Sequence, residues 1–238
     1  MFTSIILGAG KSTRMKANKS KLLFNIAGKP VINHIISSLK AAKAKSNLCV
    51  INNKSPELKK LLDDESVDYT YQSVLDGTAG AVKSALKKNH PFSSKILILC
   101  GDVPFITSAS IKKLIAKLKT ADAVVGTIEL ESPKGYGRIV RINNRFDCIV
   151  EDKETTADQR LIREVNTGII AIHEKILRKY ISQIKNNNQK KEYYLTDIIK
   201  ILTANDKKVS TFKFNSELEV KGVNSKVDLV NLERQYLR

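Results

Sequence analysis

The sequence predicts an α/β fold in which helices cover an open, mainly parallel sheet. Apolar runs of strand length alternate with segments whose apolar residues recur at helical spacing, and this alternation is typical of parallel sheets. Residues 96–100 form an almost purely apolar run, as expected for a central parallel strand that is covered on both faces. The alternation becomes irregular from residue 131 onward, so we expect a smaller, less regular half to follow.

In the first half, strands and helices are predicted to follow one another closely. The apolar runs predict strands at residues 4–7, 48–51, 67–71, 96–100 and 123–128. The helical spacing predicts helices at residues 31–44, 56–62, 80–88 and 111–118, with Ser55 as N-cap of the second and Thr107 or Ser108 as N-cap of the fourth. Because open α/β sheets bind ligands beyond the carboxyl ends of their strands, the candidate motifs are those that follow the strands.

The second half is predicted to begin with a β-hairpin and to end with a helix. Asn143-Asn144 separates the two hairpin strands and suits a tight turn. The remaining predictions are a polar loop at 185–191, strands at 168–172 and 209–214, and helices at 174–184, 195–202 and 226–236. We find neither an internal repeat nor a clear linker, so we expect one domain.

The composition favours a solvated basic surface over a nucleic-acid or membrane interface. Lys and Arg number 41 against 24 Asp and Glu, and the net charge of +17 suits an anionic partner. The basic residues are spread along the chain and only 6% of the residues are aromatic, so nucleic-acid binding is a remote alternative. No stretch approaches the roughly 18 apolar residues of a membrane-spanning helix, and the first residues lack the basic region of a signal peptide.

The three cysteines predict a cytoplasmic protein. Cys49, Cys100 and Cys148 lie far apart in the sequence, and no pair has the spacing of metal ligands. Reduced, buried thiols are typical of the cytoplasm.

A glycine-rich turn with nearby positive charge follows the first predicted strand. Small residues let backbone N–H groups approach a triphosphate, and Lys11, Arg14 and Lys21 add positive charge. A P-loop would need a further glycine five residues before Gly10, where the chain has Ile5. The dinucleotide fingerprint fails as well, because its third glycine is Thr13 here.

This turn resembles the signature of nucleotidyltransferases that make nucleotide sugars. The segment Leu-Gly-Ala-Gly-Lys-Ser-Thr-Arg-Met, followed by Lys21, is similar to their Leu-x-x-Gly-x-Gly-Thr-Arg-Met…Pro-Lys pattern. The chain departs from the pattern at Ser12, in place of the second glycine, and at Ser20, in place of proline. The charged residues Arg14 and Lys21 are kept.

Two later motifs also follow predicted strands. The segment 72–78 contains Gln72, whose amide carries both a donor and an acceptor and so matches the O4/N3–H edge of uracil. Asp102 follows the apolar run 96–100, and a carboxylate at the end of a central strand is well placed for Mg²⁺, which prefers oxygen ligands and triphosphates.

The series of motifs resembles the uridyltransferase domain of the bacterial bifunctional N-acetylglucosamine-1-phosphate uridyltransferase/glucosamine-1-phosphate acetyltransferases. It continues with Tyr-Gly-Arg at 136–138, Glu-Asp-Lys at 151–153, and segments 164–168, 192–197 and 219–224, in the family's order. The resemblance implies a Rossmann-like, mixed, mainly parallel sheet with a smaller irregular sugar-binding half. It implies a nucleotide-binding half at about 1–130, a sugar-binding half at about 131–225 and a closing helix at about 226–238, without the family's β-helix acetyltransferase domain.

The resemblance also implies a reaction and its residues. UTP and N-acetylglucosamine 1-phosphate would give UDP-N-acetylglucosamine and pyrophosphate, with Mg²⁺ as cofactor. The implied catalytic residues are Arg14 and Lys21, and the implied metal ligands are Asp102 and Asn224. The implied nucleotide-binding residues are Leu7, Gly8, Ala9, Gly10, Lys21, Gln72, Gly77 and Thr78. The implied sugar-binding residues are Gly137, Glu151, Asn166, Tyr194 and Thr196.

Several alternatives stay open at this point. The same fold serves glucose 1-phosphate uridylyltransferases, cytidylyltransferases and molybdopterin guanylyltransferases, which share the opening loop. A nucleotide-sensing domain without catalysis would not need Arg14, Lys21, Asp102 and Asn224 together. A homo-oligomer and a separate acetyltransferase chain are both compatible with the sequence as protein partners.

Overall fold

A nine-stranded mixed sheet carries the fold in the computed structural model, which describes residues 1–10, 13–15, 19–52 and 55–237. Its strands are β1 (Thr3–Leu7), β4 (Ser46–Ile51), β5 (Asp68–Tyr71), β6 (Lys95–Cys100), β7 (Ala123–Glu129), β8 (Arg138–Ile142), β9 (Arg145–Val150), β10 (Glu164–His173) and β11 (Val209–Lys213), and a separate small ribbon pairs β2 (Asn25–Ile26) with β3 (Lys29–Pro30). The nine-stranded sheet has the order β11-β7-β10-β6-β1-β4-β5, and β8 joins it by pairing with β10 and β9.

Most strand pairs along this order are parallel. The pairs β6–β1, β1–β4, β4–β5 and β11–β7 are parallel, whereas β10 runs antiparallel between β6 and β7. The predicted mixed, mainly parallel sheet is therefore confirmed. The strand predicted at residues 96–100 lies in the centre of the sheet and is parallel to β1 on one side, whereas β10 runs beside it in the opposite direction on the other.

The helices agree with the predicted periodicity in position and differ at their ends. They are α1 (Val31–Ala41), α2 (Pro56–Asp64), α3 (Thr78–Lys87), α4 (Ser108–Lys117), α5 (Ala157–Arg160), α6 (Glu174–Tyr180), α7 (Asp197–Ala204) and α8 (Lys226–Tyr236). The hydroxyl of Thr107 accepts the Ser110 backbone N–H at 3.2 Å and caps α4 as predicted. Ser55 precedes α2, but its hydroxyl donates to Asn52 at 3.4 Å instead of accepting a helix N–H.

The sheet is covered on both faces, and alternate residues of each strand enter different cores. On one face, Ile6 and Leu97 pack with residues of α1, α2, α4 and α8. On the other face, Ile5, Ile96 and Ile98 pack with residues of α3, α6 and α7. This period of two is the geometry of a strand buried on both sides.

Close backbone contacts fix the carboxyl ends of the central strands. The Gly8 N–H donates to the Val50 carbonyl at 2.8 Å, and the Gly101 N–H donates to the Leu7 carbonyl at 2.9 Å. The chain segments that follow β1 and β6 therefore start side by side. Among the described residues, none of the helices is long and apolar enough to cross a membrane.

Candidate active site

A cavity of about 530 Å³ opens at the carboxyl ends of β1 and β6. Eleven predicted site residues line it: Leu7, Gly8, Ala9, Gly10, Lys21, Gln72, Gly77, Thr78, Asp102, Glu151 and Tyr194. These residues come from segments spread over nearly two hundred positions, so the fold brings together what the sequence presents as separate motifs. The expectation that the motifs converge at the strand ends is met for this set.

Four predicted residues form a connected polar cluster at one edge of the cavity. The Lys21 ammonium forms an ion pair with Asp102 Oδ2 and donates to Asn224 Oδ1 at 2.8 Å. Arg14 Nη2 donates to the same amide oxygen at 2.9 Å. Two cationic side chains therefore hold a carboxylate and an amide that arrive from positions 102 and 224.

Local backbone structure places the members of this cluster. Lys21 begins a short 3-10 turn, and the Ser20 hydroxyl accepts the Leu22 backbone N–H at its start. Ser20, one of the two departures from the family pattern, thus serves as the cap of the turn that carries Lys21. The Val223 N–H donates to the Asp102 carbonyl at 2.8 Å, which brings the Asn224 segment against the end of β6. The other departure, Ser12, and the predicted phosphate contact Lys11 lie outside the described residues.

Gln72 is held with its amide group in a defined orientation. Its Nε2 atom donates to Asp76 Oδ1 and to the Gly77 carbonyl, both at 3.0 Å. Since both partners are acceptors, the nitrogen must face them. The carbonyl oxygen of this buried side chain is then the atom left to accept a hydrogen bond from a ligand. The expectation that the amide would also donate to O4 of uracil is therefore wrong in this structure, because its N–H groups are directed at Asp76 and Gly77.

The loop that carries Gln72 is joined directly to the loop before α7. The Tyr193 N–H donates to the Asp76 carbonyl at 2.7 Å, and the Ala79 N–H donates to the Tyr193 carbonyl at 2.9 Å. Gly77 lies between these bonds with φ +110°, and a Cβ atom there would stand 2.5 Å from the Tyr193 carbonyl oxygen. Glycine is therefore required at position 77 for both its conformation and its close approach.

Glu151 is a further acidic residue that lines the cavity. Its carboxylate accepts a hydrogen bond from the Thr196 hydroxyl at 2.9 Å. Burial raises the pKa of Glu151, and the nearby Glu154 and Asp152 carboxylates raise it further, while the Thr196 hydrogen bond lowers it.

The other predicted sugar-binding residues lie beside or behind Glu151. Tyr194 lines the cavity. A Cβ atom at Gly137 would lie 3.7 Å from Glu151 Oε1, and the Gly137 carbonyl accepts the Asn166 N–H at 2.8 Å. The Asn166 side chain accepts the Gly168 N–H at 3.0 Å. The structure thus places Thr196 and Gly137 beside Glu151 and Asn166 next to Gly137, and none of the three is among the residues that line the cavity.

Six residues that the sequence did not assign complete the lining: Leu22, Leu75, Ala81, Cys100, Lys190 and Glu192. Leu75, Cys100 and Glu192 stand within or next to the recognised motifs, so proximity in the sequence was the available indication. Burial raises the pKa of Cys100 to about 12, which keeps it a neutral thiol. Lys190 comes from the polar loop, where nothing in the sequence pattern distinguishes it from its neighbours.

The oxygen atoms of Asp102 and Asn224 suit the magnesium ion implied by the resemblance. Both atoms contact the single Lys21 ammonium, so they already converge on one cationic centre. Among the described residues, no group of three or more His, Cys, Asp or Glu side chains could enclose a metal. Two protein oxygens with the other positions left to phosphates and water is an arrangement that Mg²⁺ favours.

Fold and cavity together are those of a nucleotidyltransferase. Residues 4–161 match the MobA-like NTP transferase domain, and the chain belongs to this family. The resemblance predicted from the sequence is thereby confirmed.

Two curated relatives match nearly the whole chain. The bifunctional protein GlmU of Buchnera aphidicola subsp. Schizaphis graminum is 36% identical over 232 residues, which are 97% of this chain and 50% of that protein. The bifunctional protein GlmU of Acinetobacter baylyi is 34% identical over 98% of this chain and 51% of its own length. The chain therefore spans about half the length of these curated relatives.

A solved structure confirms the fold class. A UDP-glucose pyrophosphorylase complexed with UDP-glucose superposes with a TM-score of 0.78, covers 100% of this chain and 98% of its own, and is 17% identical in sequence. At this identity the likeness concerns the fold alone.

Proposed function

We propose that this protein transfers a uridylyl group from UTP to N-acetylglucosamine 1-phosphate, giving UDP-N-acetylglucosamine and pyrophosphate with Mg²⁺ as cofactor. The observation that carries the proposal is the cluster of Arg14, Lys21, Asp102 and Asn224 at the edge of a cavity lined by the glycine-rich turn. Such a cluster supplies two cations and two metal-ligand oxygens where a triphosphate would lie. The similarity to the two GlmU proteins supports the same reaction.

In the proposed reaction the protein positions two anions and neutralises their charge. A sugar phosphate dianion is already a nucleophile, so its oxygen attacks the α-phosphorus of UTP in line without a general base. Lys21 neutralises charge at the α-phosphate, and Arg14 stabilises the leaving pyrophosphate. Asp102 and Asn224 would hold Mg²⁺, which offsets phosphate charge when bound.

The orientation of Gln72 supports uracil as the base. With both amide hydrogens of Gln72 engaged inside the loop, its carbonyl oxygen is offered to a base N–H. Uracil has such a donor at N3. Guanine N1–H and the amino groups of cytosine and adenine are also donors, so this amide is compatible with uracil without fixing the base by itself.

The residues around Glu151 support an amino sugar as acceptor. Glu151 and Tyr194 line the cavity, and Thr196 orients the Glu151 carboxylate. A carboxylate accepts hydrogen bonds from sugar hydroxyl or amide N–H groups. We propose that Gly137, Asn166 and Thr196 support these contacts.

The division of labour along the chain is part of the same proposal. Residues 1–130 would bind the nucleotide, residues 131–225 the sugar phosphate, and residues 226–238 would close the domain. A cytoplasmic location fits the three free cysteine thiols.

The decisive experiment measures pyrophosphate release with Mg²⁺. UTP, CTP, GTP and ATP are each paired with N-acetylglucosamine 1-phosphate and with glucose 1-phosphate. We expect rapid release only with UTP and the acetylated sugar. Release with glucose 1-phosphate would change the assigned acceptor, and release with GTP would change the assigned base, but the reaction class would stay the same. If folded protein releases no pyrophosphate with any pair, the proposal is rejected.

A further inference from the structure

A second cavity, of about 510 Å³, adjoins the polar cluster of the candidate active site. Arg14 and Asn224 line this second cavity, whereas Lys21 and Asp102 line the first. Because Asn224 Oδ1 accepts hydrogen bonds from both Arg14 and Lys21, the four residues form the boundary between the two cavities. Nothing in the sequence motifs pointed to a second cavity.

The second cavity is lined by more positive than negative charge. Arg14, Lys221 and Arg234 contribute cations, and Asp228 contributes the carboxylate of the lining. That carboxylate is already engaged, because it accepts the backbone N–H groups of Asn224 at 3.0 Å and Ser225 at 2.8 Å and so completes the capping box in which Ser225 is the N-cap of α8.

The two arginines are the least compensated charges of this lining. Lys221 has a carboxylate partner, since its Nζ lies 3.3 Å from Glu217 Oε2. Within the part of the chain that the structure describes, neither Arg14 nor Arg234 has a carboxylate within 4.0 Å. An anion with several oxygen atoms would find charge-assisted donors here.

Tyr136 adds a neutral donor to the same cavity. Burial raises its pKa, and the carboxylates of Glu217, Asp228 and Asp102 raise it further. The phenol therefore keeps its proton and can donate a hydrogen bond to an anion.

We propose that the second cavity is the subsite that receives pyrophosphate. The inference rests on the proposed function and extends it to Tyr136 and Lys221, which stand in recognised motifs without an assigned role, and to Arg234, which stands in none. In the in-line displacement, the bond between the sugar phosphate oxygen and the α-phosphorus forms. The bond between the α-phosphorus and the bridging oxygen breaks, and its electron pair leaves with pyrophosphate.

Because the reaction is in line, the first cavity would bind the acceptor and the second would bind the leaving pyrophosphate. The entering and leaving oxygens lie on opposite sides of the α-phosphorus. With the acceptor beside Glu151 in the first cavity, the leaving group points away from it, across the boundary formed by Lys21 and Asn224. Arg14, Lys221 and Arg234 are the cations that line the second cavity on that side of the boundary.

The test compares Arg234→Gln with a matched surface variant, Arg145→Gln. Arg234 is exposed on α8 and Arg145 is exposed at the start of β9, so both substitutions remove one positive charge from the surface. Binding of inorganic pyrophosphate to the free protein is measured by isothermal titration calorimetry. We expect Arg234→Gln to weaken binding about tenfold, as for the loss of one charge-assisted contact, and Arg145→Gln to bind as the unmodified protein does.

A second variant and a kinetic readout make the result decisive. Lys221→Gln should also weaken pyrophosphate binding, by less than Arg234→Gln, because Glu217 already compensates Lys221. In the reverse reaction, Arg234→Gln should raise the KM for pyrophosphate about tenfold and leave the KM for UDP-N-acetylglucosamine unchanged.

The two proposals fail in different ways. If Arg234→Gln and Lys221→Gln, folded as judged by circular dichroism, bind pyrophosphate as tightly as Arg145→Gln does, the pyrophosphate subsite is overturned even if the enzyme is active. If the protein releases no pyrophosphate from any substrate pair but binds it in an Arg234-dependent way, the proposed reaction is wrong and the anion subsite stands.

Discussion

Lys21 is the residue that joins the different parts of the candidate site. Its ammonium contacts an oxygen of Asp102 and an oxygen of Asn224, two positions that lie 122 residues apart in the sequence. In the protein without ligands, Lys21 thus compensates the charge of the carboxylate that is proposed to hold magnesium. The same contacts keep both oxygens pointing to one centre, which is the preorganisation that charge stabilisation requires.

Replacing Arg14 by alanine tests its proposed catalytic role. We expect the turnover number to fall by about two to three orders of magnitude, which corresponds to roughly 3–4 kcal/mol for one preorganised donor. The measurement is steady-state pyrophosphate release with UTP and N-acetylglucosamine 1-phosphate. Arg145→Ala serves as the control, and turnover close to normal in Arg14→Ala would refute the role.

The raised pKa of Asp197, at the start of α7, should make the stability of the protein depend on pH. Burial, followed by repulsion from Glu154 and Glu151, raises the pKa of Asp197 from 3.8 to about 6, while Lys200 acts in the opposite direction. The folded protein therefore binds this proton more tightly than the unfolded chain. The resulting stabilisation is complete below about pH 4 and is lost as the pH rises through about 6.

Asp197→Asn should remove this dependence. Relative to the unmodified protein, the free energy of unfolding of the variant should rise between about pH 4 and pH 6 and then stay constant. Urea denaturation at a series of pH values measures the difference. Asp64→Asn removes an exposed carboxylate and is the control. A difference for Asp197→Asn that does not change with pH over this range would contradict the assignment.

At the scale of elements, the loop before α3 and the loop before α7 behave as one unit. Hydrogen bonds from Tyr193 to Asp76 and from Ala79 to Tyr193 join their backbones, and the Thr78 hydroxyl accepts the Leu195 N–H at 2.9 Å. The first loop carries Gln72 and the second carries Tyr194. A change in either loop is therefore expected to shift both Gln72 and Tyr194.

Gly77→Ala tests this coupling. The new Cβ atom would lie 2.5 Å from the Tyr193 carbonyl oxygen at a backbone φ of +110°, so the loops must separate. We expect a loss of more than about 2 kcal/mol of stability from combined strain and overpacking. We also expect the KM values for both UTP and the sugar phosphate to rise. Denaturation curves and steady-state kinetics provide the two measurements.

Gly135→Ala is the matched control for this substitution. Gly135 has φ +88° but no heavy atom within 4 Å of its Cβ position, so the variant bears the conformational cost of about 1–2 kcal/mol without the clash. If Gly77→Ala changes stability and kinetics no more than Gly135→Ala does, the loops are not coupled through this contact.

Turns and strands that depend on the local sequence pattern were predicted correctly. Strand residues that depend on pairing with a distant strand were missed. The Asn143-Asn144 turn was predicted because asparagine suits tight turns, and both residues have the positive φ that asparagine tolerates, 49° and 62°. β10 was predicted four residues too short at its start, because residues 164–167 owe their strand conformation to pairing with β7 and β8. The short strands β2 and β3 were missed for the same reason, since two residues carry no periodicity.

The candidate site shows the same division. Residues in the glycine-rich turn, at position 102 and at position 224 were found through motifs, and the structure brings them together. Lys190 and Arg234 were not found, because a basic residue in a polar loop or on a helix surface looks like any other in a chain of net charge +17. Only the folded chain shows which of them border a cavity.

At the scale of the whole molecule, α8 ties the end of the described chain to its beginning. The Tyr236 ring stacks on Phe105 with centroids 4.1 Å apart, and His34 of α1 packs edge-on against both rings. The Ala27 N–H donates to the Glu233 carboxylate at 2.7 Å. These contacts hold the helix whose N-terminal turn adjoins Asn224.

Tyr236→Ala should therefore destabilise the whole domain. We expect a loss of about 1–2 kcal/mol from the stacked pair and its packing, measured by urea denaturation. Val227→Ala, on the same helix with its side chain mainly exposed, should change stability by less than about 0.5 kcal/mol. Equal effects of the two substitutions would show that the aromatic stack does not hold the helix.

The position of β10 between β6 and β7 has a consequence for the order in which the chain can fold. β5, β4, β1 and β6 are neighbours in the sheet and all lie within the first 100 residues, so this group can pair early. β7 follows β6 in sequence but cannot join the group until β10, from residue 164 onward, is inserted between them. Pairings between distant segments form slowly, so the amide protons of β7 should become protected from exchange with solvent later than those of β1.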